Sequence, residues 1–291
     1  MKERLKTFWN ALWFTPASRT SYIATRAVLC LYSLWLLMSR PSLWRFVEWP
    51  APFRQPKYDI VLLRFAIFAV SPIVEHALYI VLFVALIAAL FGVFPRLSCF
   101  LAAILLYHFA VFEEVLVGVQ TNGVTGFTLP VLGLLILSFT PLTRERVSPD
   151  YRWPVVLIQF LFSLNFLLGG LSKFRYTGIT WYRAQNVADT MREMATLANA
   201  PWALSTASRP WLVWAISIAT LALELLFPLA VVSKNGRRIL VPAAFVAHWI
   251  RTRVYGFYFM SWPLLLLFIN WDWLLSRFRR AQPSELISSP S

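Results

Sequence analysis

The sequence predicts an all-α integral membrane protein: a polytopic helical bundle of about eight transmembrane helices, with further amphipathic helices at the membrane interface. Three observations carry that expectation. Of 291 residues, 59% are hydrophobic and only 14% charged, with a mean hydropathy of +0.63, more apolar than a soluble domain of this length. Apolar runs near the length needed to cross hydrocarbon recur along the chain. The 27 lysines and arginines gather at the ends of those runs rather than in one block, as membrane-flanking charge does.

The first element is amphipathic. Leu5, Phe8, Trp9, Leu12 and Trp13 recur at helical spacing beside Lys2, Arg4 and Lys6, which predicts a short helix on the membrane surface that ends before Pro16. This opening lacks the continuous apolar core and cleavage site of a secretory signal, so it is expected to be retained. Spans are expected near 22–38, 72–94, 97–117, 124–141, 154–171, 210–232, 239–249 and 257–275, the seventh being short because Arg251 and Arg253 close it. Two further segments read as interfacial. Residues 58–70 carry Asp59 and Arg64 in an otherwise apolar run, which suggests a half-inserted helix. Ala184, Val187, Ala188, Met191, Met194 and Ala195 form an apolar stripe opposite Arg183, Gln185, Asn186, Asp189, Arg192 and Glu193, an amphipathic helix that is either a lid or a packed connector. The domain plan is an interfacial helix at 1–20, a transmembrane domain at 21–276 and a polar tail at 277–291.

Charge placement predicts orientation. The basic residues of the N-terminal segment, Arg96, Arg144, Arg146, Arg152, Lys234, Arg237, Arg238, Arg277, Arg279 and Arg280 all fall on one side of the eight-span plan. By the positive-inside rule both termini are cytoplasmic, and in a bacterium the membrane is the inner one. The net charge of +14 and isoelectric point near 10.4 would suggest nucleic acid in a soluble chain, but without a basic block no nucleic-acid partner is expected. The acidic partner is lipid headgroup. Cys30 and Cys99 lie in apolar runs without Cys-x-x-Cys spacing, so neither a disulfide framework nor a zinc site is expected.

Several chemistries lack their signatures. His76, His108 and His248 make no His-x-x-x-His, His-x-x-His or Glu-x-x-His pair, and His108 and Glu113 stand roughly 140° apart around a helix; no metal site is expected. There is no Gly-x-Ser-x-Gly elbow, phosphate-cradling glycine loop or dinucleotide fingerprint. Trp202, Trp211, Trp249, Trp262, Trp271 and Trp273 lie near span ends and read as an aromatic belt.

The candidate site centres on Asn165 to Trp181, NFLLGGLSKFRYTGITW, where an apolar helix runs through Gly169 and Gly170 into Ser172, Lys173 and Arg175. A lysine there either snorkels to water or meets a partner, and a desolvated lysine can act as a base. Glu224 begins the run Glu224-Leu225-Leu226-Phe227-Pro228. Pro228 has no amide to bond the Glu224 carbonyl, so the helix is expected to kink. The Glu224 carboxyl is then able to hold a proton, an ion or a lysine from a neighbouring helix, or equally to fix helix packing. Glu113, Glu114, Gln120, Thr121 and Asn122 gather acceptors at the same outer end as Lys173, which makes a charged pocket plausible. His248, followed by Arg251 and Arg253, is a proton carrier beside positive charge, although interfacial arginines also anchor to lipid.

Gly170, Leu171, Ser172, Lys173 and Phe174, then Gly178 and Trp181, and downstream Glu224 to Pro228, Arg237, Arg238 and His248 resemble the horizontally transferred transmembrane (HTTM) family, the membrane domain of vitamin K-dependent gamma-carboxylase and its bacterial relatives. The resemblance spans most of the chain through scattered positions. It implies an eight-span bundle with a pocket opening on the outer side, and Lys173 as the base that deprotonates a reduced quinone of the vitamin K kind. Two departures stand out. Where the carboxylases carry an asparagine-rich segment with a histidine, this chain has Gln120, Thr121, Asn122 and Gly123. Where they carry a large soluble C-terminal region, it has a short polar tail, so peptide gamma-carboxylation by this chain alone is not expected.

Three functions follow as expectations. One is a carboxylase-like or oxidoreductase-like membrane enzyme using a quinone or other lipid-soluble cofactor, with Lys173 as base and Arg251 or Arg253 orienting an anion. Another is a non-catalytic subunit or scaffold that binds a membrane or periplasmic partner protein. The third, a transporter or proton relay through Glu224, Glu75/His76 and His108, ranks last because no internal repeat is visible.

Overall fold

The computed structural model describes residues 2–39, 71–117, 126–141, 143, 145–177, 185–197, 201–255 and 261–280, except for the side chains of 111–117, 176, 177, 186, 194, 197, 251–255 and 278–280. The expected half-inserted helix at 58–70 and the tail beyond 280 lie outside the described residues.

The architecture is all-α. Its helices are α1 (Lys2–Phe14), α2 (Arg19–Ser39), α3 (Pro72–Phe91), α4 (Pro95–Val117), α5 (Thr128–Ser138), α6 (Arg152–Thr177), α7 (Gln185–Leu197), α8 (Pro201–Ala207), α9 (Pro210–Leu226), α10 (Leu229–Val232), α11 (Lys234–Tyr255) and α12 (Trp271–Arg280), with a 3-10 helix at Trp262–Phe268 between the last two. The strands are β1 (Ala17–Ser18) and β2 (Val147–Ser148), which pair antiparallel. Three helical stretches are long and apolar enough to cross a membrane: α2, α3 and Pro149–Arg175. The bent pair α8–α9 makes a fourth if it counts as one span.

α2 supplies the centre of the core. Leu29, Cys30, Leu36 and Leu37 are buried with Leu82, Leu86 and Ala89 of α3, Cys99 and Leu106 of α4, Leu134 and Leu137 of α5, and Val156 and Phe162 of α6. α5 packs closely because Gly133 faces Leu29, whose Cδ1 lies 2.7 Å from where a Cβ would stand. Meanwhile α3 exposes Ile73, Ile80, Val84 and Phe91. An apolar outer face is the reverse of a soluble helix and suits lipid.

Four expected spans differ from what is observed. The run 124–141 yields only the 11 residues of α5, short of the about 20 that cross hydrocarbon. The run 210–232 breaks at Phe227–Pro228 into α9 and α10, as the missing proline amide requires. The seventh is longer than its apolar stretch: α11 covers 22 residues, and Arg251 and Arg253 fall inside it instead of closing it, since arginine is a good helix former. The run 257–275 is not one helix. After the 3-10 segment Ile269 is extended, and the Asn270 side chain accepts from the Trp273 amide at 3.1 Å, the N-cap that starts α12 as a separate helix.

The basic segments meet at one end. Ser18 Oγ donates to Asp272 at 2.6 Å and Ser21 Oγ at 3.2 Å, tying the start of α2 to α12. Arg152 Nε donates to the Leu12 carbonyl at 3.1 Å and Arg96 Nε to the Thr140 carbonyl at 2.9 Å. Arg237 donates to the Ala230 and Val231 carbonyls at 3.0 and 3.3 Å, where α10 leaves them unpaired. Burial, and then the Arg152 guanidinium, lower the Arg237 pKa below the usual arginine value.

Candidate functional site

α6 passes α9 at a glycine pair. A Cβ on Gly170 would stand 3.0 Å from Leu225 Cδ2 and 3.2 Å from Glu224 Cβ, and one on Gly169 would stand 3.8 Å from Glu224 Cδ. The absent side chains let Glu224 lie directly over the α6 backbone. One turn further along α6, the direction in which i and i+4 share a face, Lys173 Nζ donates to Glu224 Oε2 and lies 3.4 Å from the Gly169 carbonyl. Ser172 Oγ donates to the same carbonyl at 2.8 Å. The Lys173 side chain is 18% exposed and that of Glu224 8%, so the lysine turns to a carboxylate partner rather than reaching fully for water.

Pro228 shapes the other wall. With α9 ended at Leu226, Phe227 stacks on Phe166 at 4.1 Å and 15°. The buried His248 of α11 meets the edge of Phe166 at 5.8 Å and 85°. Phe166, Thr220, Leu223, Glu224, Ala244, Ala247 and His248 enclose a cavity of about 10 Å³, the size of one water molecule. Glu224, Thr220 and His248 supply polar groups of the kind a buried water needs. α6, α9 and α11 thus bring together an amine, a carboxyl and an imidazole around Glu224.

Other residues singled out in the sequence fall elsewhere or outside. Arg175 is on the exposed side of α6. Glu113 and Glu114 belong to α4, but their side chains, like those of Arg251 and Arg253, are not among those described; Gln120, Asn122 and Trp181 are outside the described residues altogether. Among the described residues no group of three or more His, Cys, Asp or Glu side chains is arranged to hold a metal ion.

Two further buried polar arrangements lie among α2, α3 and α4, and one of them joins residues named above for a relay. Glu75 of α3 and His108 of α4 meet at 2.9 Å between Oε2 and Nε2, and Arg26 of α2 lies against Gly92. Glu75 and His108 stand among the residues of the expected relay, and the packing of α3 on α4 brings them into direct contact; Arg26 carries no such expectation. A second cavity of about 300 Å³ lies between α2 and the 3-10 segment, lined by Ala24, Val28, Leu31, Trp35, Pro263 and Leu266 among others. Compared with family profiles, curated proteins and solved structures, the chain matches none.

Proposed function

We propose that this chain is a multi-pass membrane protein of eight crossings with both termini cytoplasmic, and that Lys173 is the base of an enzyme acting on a lipid-soluble substrate, as the HTTM resemblance implies. The observation that carries the reading is the bond from Lys173 to the Glu224 carboxyl at the Gly169–Gly170 crossing. An ion pair in apolar surroundings loses both charges when the ammonium proton passes to the carboxylate. The resulting neutral amine is able to take a proton from a substrate that meets the exposed edge of Lys173. Glu224 holds the first proton, and His248 across the small cavity offers the next acceptor.

Support for repeated crossings comes from the contacts of the basic segments: the start of α2 with α12, Arg96 with Thr140, Arg152 with Leu12, and the Arg152 charge acting on Arg237. The quinone implied by the resemblance does not fit the cavity behind the pair. That space takes about one water, whereas small-molecule pockets run to roughly 300–1,000 Å³.

A second reading is favoured by the small size of that cavity: the pair is a tie between α6 and α9 in a non-catalytic subunit or scaffold that docks a partner protein. Native mass spectrometry with lipid extraction separates the two. If Lys173 is a base, the wild type retains a lipid-soluble ligand that Lys173→Ala loses at unchanged folded yield. If Lys173→Ala collapses the yield and the exchange Lys173→Glu with Glu224→Lys restores it, the pair is a tie and the enzyme reading falls.

A further inference from the structure

A carboxyl group without any exposed surface lies on α3, bonded to a different partner from the Lys173–Glu224 pair. Glu75 is 0% exposed and one turn into α3, where its amide bonds the Ser71 carbonyl at 3.0 Å. Its Oε2 takes His108 Nε2 at 2.9 Å, and its Oε1 has no hydrogen-bond partner among the described residues. Tyr79 and Phe109 close over this corner, edge to face at 5.4 Å, and Phe109 also meets the His108 ring at 5.1 Å.

Among the described residues, the buried cations are engaged at other places. Among the described residues no lysine or arginine is within ion-pair distance of Glu75. Arg26, the buried cation of α2, is against Gly92, 17 residues and so about 25 Å along α3. Arg96 bonds Thr140 at that same far end. Next to Glu75 or His108 in sequence, or one turn away, are the titratable residues His76 and Tyr79 on α3 and Tyr107 on α4. Of these, His76 Nδ1 is engaged with the Pro72 carbonyl at 2.7 Å and the Tyr79 hydroxyl with the Leu37 carbonyl of α2 at 3.4 Å. Neither contact is directed at Glu75 Oε1.

A carboxylate oxygen left without a donor inside an apolar bundle is an expensive arrangement, and the smallest species that relieves it is a proton. We propose that Glu75 and His108 form an intramembrane proton-binding site, separate from the Lys173–Glu224 pair, in which the proton is carried on Glu75 Oε1 while Oε2 keeps its bond to His108. Uptake forms one O–H bond and removes one negative charge; nothing is oxidised or reduced. Because Glu75 lies a single turn from the start of α3, the proton enters from the membrane face at which α3 begins. Ionisable residues inside membrane helices are rare and costly, and proton relays are among the sites they mark.

The test is pH-difference infrared spectroscopy on the full chain in lipid nanodiscs, in H2O and D2O. Among the protonated-carboxyl bands of the wild type, one that shifts on deuteration is expected to be lost in Glu75→Gln, displaced in His108→Gln and retained in Lys173→Ala. A wild-type set of carboxyl bands that persists unchanged in Glu75→Gln overturns the proposal. If Glu75→Gln does not fold, Glu75→Asp and His108→Gln decide: a displaced band supports the site, and an unmoved band in both overturns it. A structural bond alone predicts no titrating band, and persistence in Lys173→Ala keeps the result independent of the role assigned to Lys173.

Discussion

Gly92 closes α3 in the left-handed region, at φ 77°, with its amide bonded to the Ala88 and Ala89 carbonyls. A Cβ there would stand 2.9 Å from Arg26 Nη2. The buried Arg26 thus places its guanidinium at the C-terminal end of α3, where the last carbonyls carry partial negative charge, and over the Tyr22 ring at 5.8 Å. Gly92→Ala meets both obstacles. The left-handed backbone alone costs about 1–2 kcal/mol for a residue with a side chain, and the displaced guanidinium adds to it; thermal unfolding in detergent should show a lowered midpoint. Gly170→Val acts by crowding instead, pressing on Leu225 and Glu224 at about 1–3 kcal/mol. It should also separate α6 from α9, so any ligand retained through Lys173 is lost together with stability.

Elements differ in how well the sequence announces them. α1 and α7 fall where apolar spacing placed helices, and Val187, Ala188 and Met191 of α7 are buried against Ala203, Ala207 and Val213, so α7 is a packed connector in this conformation. Hydropathy failed at 257–275 because it sums apolar residues without weighing helix stops: Ile269 is extended and Asn270 caps a new helix inside an apolar run. Asn270→Ala removes that cap and should cost about 1 kcal/mol, read as increased amide exchange confined to the first turn of α12. At the candidate site, Lys173 and Glu224 stood out as ionisable residues in apolar runs, and Pro228 announced its own break. Glu75 and His108 were named for a relay, but their direct bond was not legible, because two helices joined by the Gly92–Phe94 turn fix their register only through packing, which no spacing rule within either helix contains.

The whole molecule closes on its basic end, where Ser18 and Ser21 bind Asp272 and the β1–β2 pair joins the α1–α2 junction to the connection before α6. This contact draws α1, with exposed Leu5, Phe8 and Trp9, and α12, with exposed Trp273, to the same end of the bundle. Arg277 lies 4.5 Å above the Trp273 ring, the amphipathic arrangement of a helix resting among headgroups. For the proposed membrane path this predicts an even number of crossings from α2 to α12, because a helix start and a helix tied by side-chain hydrogen bonds cannot lie on opposite faces of a membrane. Single cysteines at Lys6→Cys and Arg277→Cys test this directly, because the native Cys30 and Cys99 are buried and should resist a membrane-impermeant thiol reagent in the folded protein. Both introduced thiols are expected to react only when the cytoplasmic face is opened to the reagent. Labelling of one thiol from each side means an odd number of crossings, which removes the eight-span reading and with it the Ser18–Asp272 contact.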